Sequence, residues 1–278
     1  MKRYLLVPVA IVIVCVIALT SWISLTHEGN TQVPMRTVTD ATGTTIVIPE
    51  HPKRVVILNS SNLDMYYAVG GTVVGKPTSS YISKEIMAKT KDVPSVGTLH
   101  SPSIETIIGL HPDLVIGINV PFNTSLRDIL AQADIPLYIN DLDTYDDVVT
   151  TLTFFGELTN QPDVAKATAD KAVANYNKLV DDTKKQKGPR SLIIFGAPGS
   201  FSMATGKAFS GNLLELLGGH NIADMATGLD GDYVPLSMEY VVKTDPEVIF
   251  FISMSPKSDS VNAVSYTHLR AHETCADL

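Results

Sequence analysis

Cysteine is scarce in this chain, and its two copies lie at opposite ends. Cys15 falls in an apolar N-terminal segment, and Cys275 lies close to the C-terminus. Cysteines placed in this way cannot reach each other, so no disulfide frames the fold.

Basic charge is also scarce. The formal net charge is −8, and the sequence pI is about 5.3. Binding to nucleic acid needs a basic face that neutralises phosphates, so the balance of charge argues against a nucleic-acid partner. The one basic run, at Lys184, Lys185 and Lys187, is typical of a solvated helix end.

Catalytic signatures are absent as well. The chain has no G-x-S-x-G elbow, no P-loop and no G-x-G-x-x-G fingerprint. Gly196 to Ser202 (GAPGSFS) lacks the spacing of a nucleophile elbow. Ser60, Asp64 and His100 contain the residue types of a triad, but nothing local orients them. The sequence therefore predicts that the chain is not an enzyme.

One long apolar run is present, from Tyr4 to Leu25, directly after Lys2 and Arg3. This layout is typical of a signal sequence or a signal anchor. The run is longer than the apolar region of an ordinary signal peptide and long enough to span a bilayer. We favour an uncleaved anchor over residues 1–27, with a cleaved signal as the alternative. In either case the rest of the chain is exported to the periplasm or the extracytoplasmic face, and the favoured uncleaved segment would anchor it to the inner membrane.

A segment of sixteen residues occurs twice, at an offset of 134 residues. The first copy runs from Ser103 to Ile118 (SIETIIGLHPDLVIGI), and the second runs from Ser237 to Ile252 (SMEYVVKTDPEVIFFI). Each copy is typical of a short helix, a turn marked by proline, and a strand buried on both faces. Two such units predict two similar lobes with a ligand cleft between them.

The remaining pattern alternates strands with helices, which indicates parallel sheets covered by helices. Pro162 to Lys185 has the longest helical pattern and lies between the two repeat copies. The predicted fold class is α/β, with two lobes, each a mainly parallel sheet flanked by helices, joined by one long helix. The expected boundaries are 36–158 for the N-terminal lobe, 159–187 for the connecting helix and 188–263 for the C-terminal lobe.

The last residues of the chain do not continue this alternation of strands and helices. From Val264 the sequence VSYTHLRAHETCADL follows no apolar period, and part of it resembles translated sequencing-adapter DNA. We therefore expect residues 264–278 to be a non-native tail on a C-terminally truncated chain, which leaves the second lobe incomplete. His268 and His272 have a spacing that suits metal ligands on a helix, but we assign them no metal.

Four segments together resemble one known family, and they span about Val38 to Ser253. They are VTDATGTTIVIPEHPKRVVIL, SIETIIGLHPDLVIG, AFSGNLLELLGGHNIAD and SMEYVVKTDPEVIFF. The chain resembles the substrate-binding proteins of ABC importers for iron complexes, haem and cobalamin. The resemblance implies two lobes joined by one helix, a ligand held between them, and delivery to a permease dimer with its ATPase.

The cleft residues are expected where strands end, because the carboxyl ends of parallel strands face the ligand crevice. The candidates are Ser60, Tyr81, His100, Phe122, Phe201, Tyr233 and Met254. In haem-binding members, the resemblance implies one axial ligand near His100 and the other near Met254, and both side chains suit haem iron. The alternatives are a solvated loop histidine and an ordinary apolar methionine.

The ligand itself stays open at this point. Haem ranks slightly ahead of a ferric siderophore, because the loops lack the arginines that a strongly anionic chelate would need. Cobalamin transport is an alternative, and so is a membrane-tethered sensor without a transport role. We expect no intrinsic cofactor, since each of these molecules would be cargo.

Glu105 and Glu239 occupy the same early helix position in the two repeat copies. A carboxylate in the first turn also stabilises a helix through its dipole, so a purely local role is possible. The resemblance implies that these two residues dock the lobes onto arginines of two permease subunits.

Overall fold

The computed structural model describes residues 33–183, 187–197, 200–226, 228 and 230–253. The lobes described below belong to one compact unit, which begins at Arg36. The predicted anchor, the predicted tail and Met254 lie outside the described residues. Within the described part, no helix combines the length and the apolar character needed to cross a bilayer.

The N-terminal lobe contains seven strands and six helices within the described residues. Its elements are β1 (Met35–Thr39), β2 (Thr45–Pro49), β3 (Val55–Ile57), α1 (Ser60–Ala68), α2 (Lys84–Lys89), β4 (Gly97–Thr98), β5 (Ser101–Pro102), α3 (Ile104–Gly109), β6 (Leu114–Ile118), α4 (Pro121–Thr124), α5 (Arg127–Ala131), β7 (Leu137–Asn140) and α6 (Tyr145–Leu158).

The connecting helix and the C-terminal lobe follow. Their elements are α7 (Pro162–Thr183), β8 (Arg190–Ala197), β9 (Ser200–Ala204), α8 (Phe209–Leu216), β10 (His220–Asn221), a 3₁₀ turn (Ile222–Met225), β11 (Tyr233–Pro235), α9 (Met238–Thr244) and β12 (Val248–Ser253).

The central sheet of the N-terminal lobe is parallel, with the order β3-β6-β7. β6 lies in the middle, so its apolar run is covered on both edges and on both faces. Leu114, Val115 and Ile116 are fully buried. The continuous apolar run of the first repeat copy therefore forms the strand that its sequence predicts.

The hairpin of β1 and β2 is tied to this sheet through Asp40. Its Oδ1 accepts the backbone N–H groups of Thr42 at 3.0 Å and Thr44 at 3.2 Å, while Gly43 takes the left-handed backbone (φ 76°) that the turn requires. Its Oδ2 pairs with the guanidinium of Arg127 on α5. Burial would raise the pKa of Asp40, but the hydrogen bonds from Thr42 and Arg127 outweigh burial and lower it.

The long helix α7 covers Pro162–Thr183, as the sequence predicts, and residues 184–186 are outside the described part. Ala165 and Ala169 are buried in the core of the N-terminal lobe. The contact with α6 is close, because a Cβ on Gly156 would stand 2.1 Å from the Cβ of Ala165. The ring of Tyr176, further along α7, lies against the ring of Tyr145 with the centroids 4.9 Å apart and the planes tilted by 31°.

The sheet of the C-terminal lobe is mixed, with β8 at its centre. β12 runs parallel to β8 along one edge, and β10 and the antiparallel β9 share the other. β11 pairs antiparallel with β9. The α/β fold class is confirmed, but this sheet is less parallel than the first. β9 forms an antiparallel pair with the preceding β8, and its second partner, β11, follows about thirty residues later in the chain.

The repeat is structural as well as sequential. Ser103 and Ser237 are the N-cap residues of α3 and α9. The side-chain oxygen of each serine accepts the backbone N–H of the residue three positions later, at 3.3 Å. Arg54 donates to the carbonyls of Leu110 and His111 at 2.6 and 2.9 Å.

Arg190 repeats the contact of Arg54 in the other lobe. It donates to the carbonyls of Thr244 and Asp245 at 3.0 and 2.8 Å. His111 and Asp245, at the ends of the two helices, both take left-handed backbone (φ 46° and 44°). We call this arrangement, in which one arginine donates to two carbonyls at the carboxyl end of a helix, an arginine clamp. It is present at both α3 and α9.

Candidate ligand-binding site

Three of the predicted cleft residues line one cavity of about 400 Å³ in the N-terminal lobe. They are Ser60, Tyr81 and His100. The complete lining is Leu58, Asn59, Ser60, Pro77, Thr78, Ser79, Ser80, Tyr81, Thr98, Leu99 and His100. The loop after β3, the loop before α2 and the β4–β5 turn each contribute one side of it.

The imidazole of His100 is held against a fourth predicted residue. The ring of Phe122, on α4, meets it edge to face with the centroids 5.0 Å apart and the planes at 86°. The backbone of the same loop is also attached to α4, because Nδ2 of the buried Asn123 donates to the carbonyl of Leu99 at 3.4 Å. Oδ1 of Asn123 accepts the N–H of Ile118 at the end of β6. One short helix thus positions His100 through both its ring and its loop.

Helix α1 directs its amino end to this cavity. Asn59 is its N-cap residue, but the Asn59 side chain makes no capping hydrogen bond. The first N–H groups of a helix have no partner within the helix, and its dipole favours an acceptor or an anion at this end. α1 is anchored below the cavity, because the amides of Asn62 and Asn140 donate to each other at 2.7 and 2.9 Å.

The lining carries no Lys, Arg, Asp or Glu. Six of its residues bear hydroxyl groups, which both donate and accept hydrogen bonds. Tyr81 and Phe122 are well exposed, with 64% and 48% of their surfaces accessible. The cavity therefore offers neutral hydrogen-bonding groups beside accessible aromatic surfaces.

The two predicted aromatic residues of the C-terminal lobe lie on neighbouring strands. Tyr233, on β11, contacts the ring of Phe195 at 4.9 Å and stays 47% exposed. Phe201, on β9, contacts Phe251 at 6.3 Å. Met254, the predicted partner of His100, lies outside the described residues.

An acidic group that the sequence did not single out lies near Tyr233. Burial raises the pKa of Asp141, and the charges of Asp147 and Asp232 add to the rise. Burial likewise raises the pKa of Asp143, with Asp141 and Asp232 contributing. Because Asp141 and Asp143 follow β7 while Asp232 precedes β11, carboxylates of the two lobes influence each other. The rule that ligand residues follow parallel strands would have identified Asp141.

The two predicted docking residues are exposed in the first turns of α3 and α9. Neither Glu105 nor Glu239 makes an ion pair within the described residues. The described part also contains no group of three or more His, Cys, Asp or Glu side chains that would bind a metal ion.

Comparison with known proteins now identifies the family. The sequence profile of the family described as "Periplasmic binding protein" matches residues 55–278. The chain belongs to the periplasmic binding protein family. Its members are binding proteins, so the prediction that the chain is not an enzyme is confirmed.

Curated relatives of this periplasmic binding protein include the high-affinity heme uptake system protein IsdE of Staphylococcus aureus. The two are 29% identical over 178 residues, which is 64% of this chain and 59% of the relative. The chain thus spans 59% of the length of the curated relatives that it matches.

Solved structures share the fold. IsdE of S. aureus complexed with heme has a TM-score of 0.68 at 24% identity, covering 79% of this chain and 84% of that one. SirA of S. aureus complexed with staphyloferrin B has a TM-score of 0.69 at 22% identity, with 86% and 82% covered. The vitamin B12 binding protein BtuF of Vibrio cholerae has a TM-score of 0.63 at 20% identity, with 80% and 82% covered. At these identities the likeness shows the fold of the periplasmic binding protein.

Proposed function

We propose that this chain is an extracytoplasmic substrate-binding protein that delivers an iron complex, with haem ranked first, to an ABC permease. Its relatives support a cargo of this class, because they include a heme uptake protein, a protein complexed with staphyloferrin B and a vitamin B12 binding protein. The observation that carries the proposal is the cavity in which His100, Tyr81 and Ser60 meet beside Phe122.

Haem suits this cavity for three physical reasons. Imidazole is a common axial ligand of haem iron, and His100 lies in the β4–β5 loop that α4 holds in place. Exposed aromatic rings pack well against a porphyrin face. The uncapped amino end of α1 favours the carboxylate of a propionate. In the proposal Met254 would supply the second axial ligand from the C-terminal lobe.

A ferric siderophore is the second candidate and cobalamin the third. The absence of arginine and lysine from the lining disfavours a strongly anionic chelate, whose recognition relies on these residues. The hydroxyl-rich lining suits the neutral amides of cobalamin, so that corrinoid stays in the test. A membrane-tethered sensor would use the same cavity without a permease.

The experiment is a binding titration of the full chain in detergent with haemin, a ferric siderophore and cyanocobalamin, followed by absorbance and by isothermal titration calorimetry. We expect haemin to give a Soret band that reports axial ligation. His100→Ala should shift that band and weaken haemin binding about tenfold or more. His220→Ala, a change at an exposed histidine of the C-terminal lobe, is the matched control.

Two outcomes would count against this proposal. Failure of all three ligands to bind would remove the function as stated. Haemin binding with the same spectrum and affinity in His100→Ala would exclude His100 as an axial ligand while leaving the transport role intact.

Docking to the permease forms the second part of the proposal. The two glutamates occupy equivalent exposed places on equivalent helices, which matches a permease built from two similar subunits. Replacing both Glu105 and Glu239 with Ala should reduce uptake in cells that depend on this chain, while ligand affinity stays unchanged. Glu50→Ala, at an exposed position in the loop after β2, is the control. A parallel loss of ligand affinity would show that the glutamates belong to the cleft.

A further inference from the structure

The side chain of Asn59 is buried in the wall of the ligand cavity, but its amide is not fully paired. Asn59 is only 6% exposed, and it is one of the residues that line the cavity. Within the described residues, its Oδ1 has no hydrogen-bond partner. Buried side-chain oxygens are nearly always paired, because an unpaired acceptor loses its hydrogen bonds to water without replacement. The exception at Asn59 indicates a partner that arrives from outside the chain.

The capping of α1 does not account for this amide. Asparagine is a favoured N-cap residue, and Asn59 has the extended backbone of one (φ −138°, ψ 154°), with its carbonyl accepting the N–H of Leu63 at 3.2 Å. Its side chain nevertheless makes no capping hydrogen bond. The first N–H groups of α1, a helix of nine residues, therefore receive no acceptor from Asn59. Oδ1 and these N–H groups belong to neighbouring residues and are not paired with each other.

The elements on both sides of Asn59 are held in place, so its amide has a defined position. Before it, the N–H of Leu58 donates to the carbonyl of Ile116 on β6 at 3.0 Å. After it, α1 is anchored by the buried amides of Asn62 and Asn140, which donate to each other at 2.7 and 2.9 Å. That pair also shows how two amides satisfy each other, since each donates one N–H and accepts one.

The chemistry of this wall separates two kinds of ligand group. A carboxylate accepts the helix N–H groups and gains from the dipole, but it has no hydrogen to donate to Oδ1 of Asn59. A primary carboxamide accepts at its carbonyl and donates from its nitrogen, so it satisfies both the helix end and Oδ1. The lining carries no Lys, Arg, Asp or Glu, and it therefore suits an uncharged group.

We propose that Asn59 is a specificity-determining residue, whose amide pairs with a primary carboxamide of the cargo and selects it over an ionised carboxylate. This inference rests on the proposed function, because it concerns cargo in the same cavity. It separates the candidates, since the side arms of cobalamin carry carboxamides, whereas the propionates of haem are ionised at neutral pH. At this place a propionate gains from the α1 dipole but leaves Oδ1 of Asn59 unpaired.

The first experiment compares haemin with haemin whose two propionates have been converted to primary amides. Isothermal titration calorimetry of the full chain in detergent at neutral pH measures both affinities. We expect the diamide to bind about tenfold more tightly, since the carboxylate leaves a buried acceptor unpaired. Asn59→Leu, a change of similar size, should abolish this preference. Asn177→Leu, at an exposed asparagine of α7, is the matched control and should keep it.

The second experiment uses cyanocobalamin and its monocarboxylic acids, in each of which one side-arm amide has been hydrolysed. Hydrolysis of the arm that pairs with Asn59 should weaken binding to the unchanged chain about tenfold. The same hydrolysis should leave binding to Asn59→Leu unaffected. This result would identify a corrinoid as the source of the carboxamide.

Melting curves of the free chain test whether the amide of Asn59 is unpaired without cargo. Asn59→Leu should melt at the temperature of the unchanged chain or higher, because it removes a buried acceptor that has no partner. A lower melting temperature than that of Asn177→Leu would show that the amide stabilises the free chain, and would overturn the proposal. Equal affinities for amide and carboxylate in both ligand pairs would overturn it while leaving the transport role intact. Failure of every macrocycle to bind would remove the proposed function as well.

Discussion

The strands β6 and β12 come from two copies of one sequence unit, but their surroundings differ. Ile116 of β6 and Phe250 of β12 are equivalent at the repeat offset. Ile116 is fully buried, whereas Phe250 is 47% exposed. The difference comes from neighbours: β3 and β7 flank β6, while β12 has β8 alone within the described part. The same kind of apolar run is therefore enclosed in one lobe and partly exposed in the described part of the other.

The largest expected difference is in core stability. Ile116→Ala should lower the free energy of unfolding by about 2–5 kcal/mol, because a fully buried side chain leaves a cavity. Phe250→Ala should change it by less than about 1 kcal/mol, since half of that ring is already in water. Urea denaturation followed by circular dichroism measures both. Similar losses for the two variants would mean that β12 is covered in solution, by a second copy or by other residues.

A smaller effect is expected at the arginine clamps, where the two copies agree. Arg54→Met and Arg190→Met should each cost about 1 kcal/mol, because each removes two hydrogen bonds and a favourable charge at a helix carboxyl end on an exposed surface. Arg→Lys at either position should lose most of the same stability, since one ammonium does not reproduce the planar fork. Urea denaturation of the four variants tests this equality. A cost confined to one lobe would show that the clamps are not equivalent.

The smallest effect is a dependence on pH that belongs to the C-terminal lobe. Burial raises the pKa of Glu215, and a hydrogen bond and the charge of Asp224 raise it further. A raised folded-state pKa contributes stability that is complete below the unfolded value and is lost as the pH rises through the folded value. Glu215→Gln should therefore flatten the dependence of stability on pH. Compared with the unchanged chain, the variant should be more stable at pH 8, and the difference should be smaller at pH 4.

Thermal melts of the unchanged chain and Glu215→Gln across pH 4 to 8 measure this dependence. Glu50→Gln is the control, because Glu50 is exposed in the loop after β2. A profile that Glu215→Gln leaves unchanged would contradict the assignment.

Much of the candidate site was predictable, because local rules place it. Ser60 follows β3 of the parallel sheet, as the rule for strand ends predicts, whereas Tyr81 precedes α2 and His100 lies in the turn between the antiparallel strands β4 and β5. The contact between Phe122 and His100 was not predictable, since it depends on the angle at which α4 packs. The acidic group of Asp141, Asp143 and Asp232 was missed, because two of its members become neighbours of the third only when the lobes face each other.

The sequence by itself determined the α/β class, the repeat, the long helix and the strand ends that build the cavity, because apolar periods, proline and capping residues act over a few residues. Tertiary structure alone decided which apolar strand is enclosed. VIGI in β6 and IFFI in β12 predict equally buried strands, and no local property of either run distinguishes them. Burial is set by what packs on each edge and face. The pairing of β9 with β11 likewise depends on chain folding over a long separation.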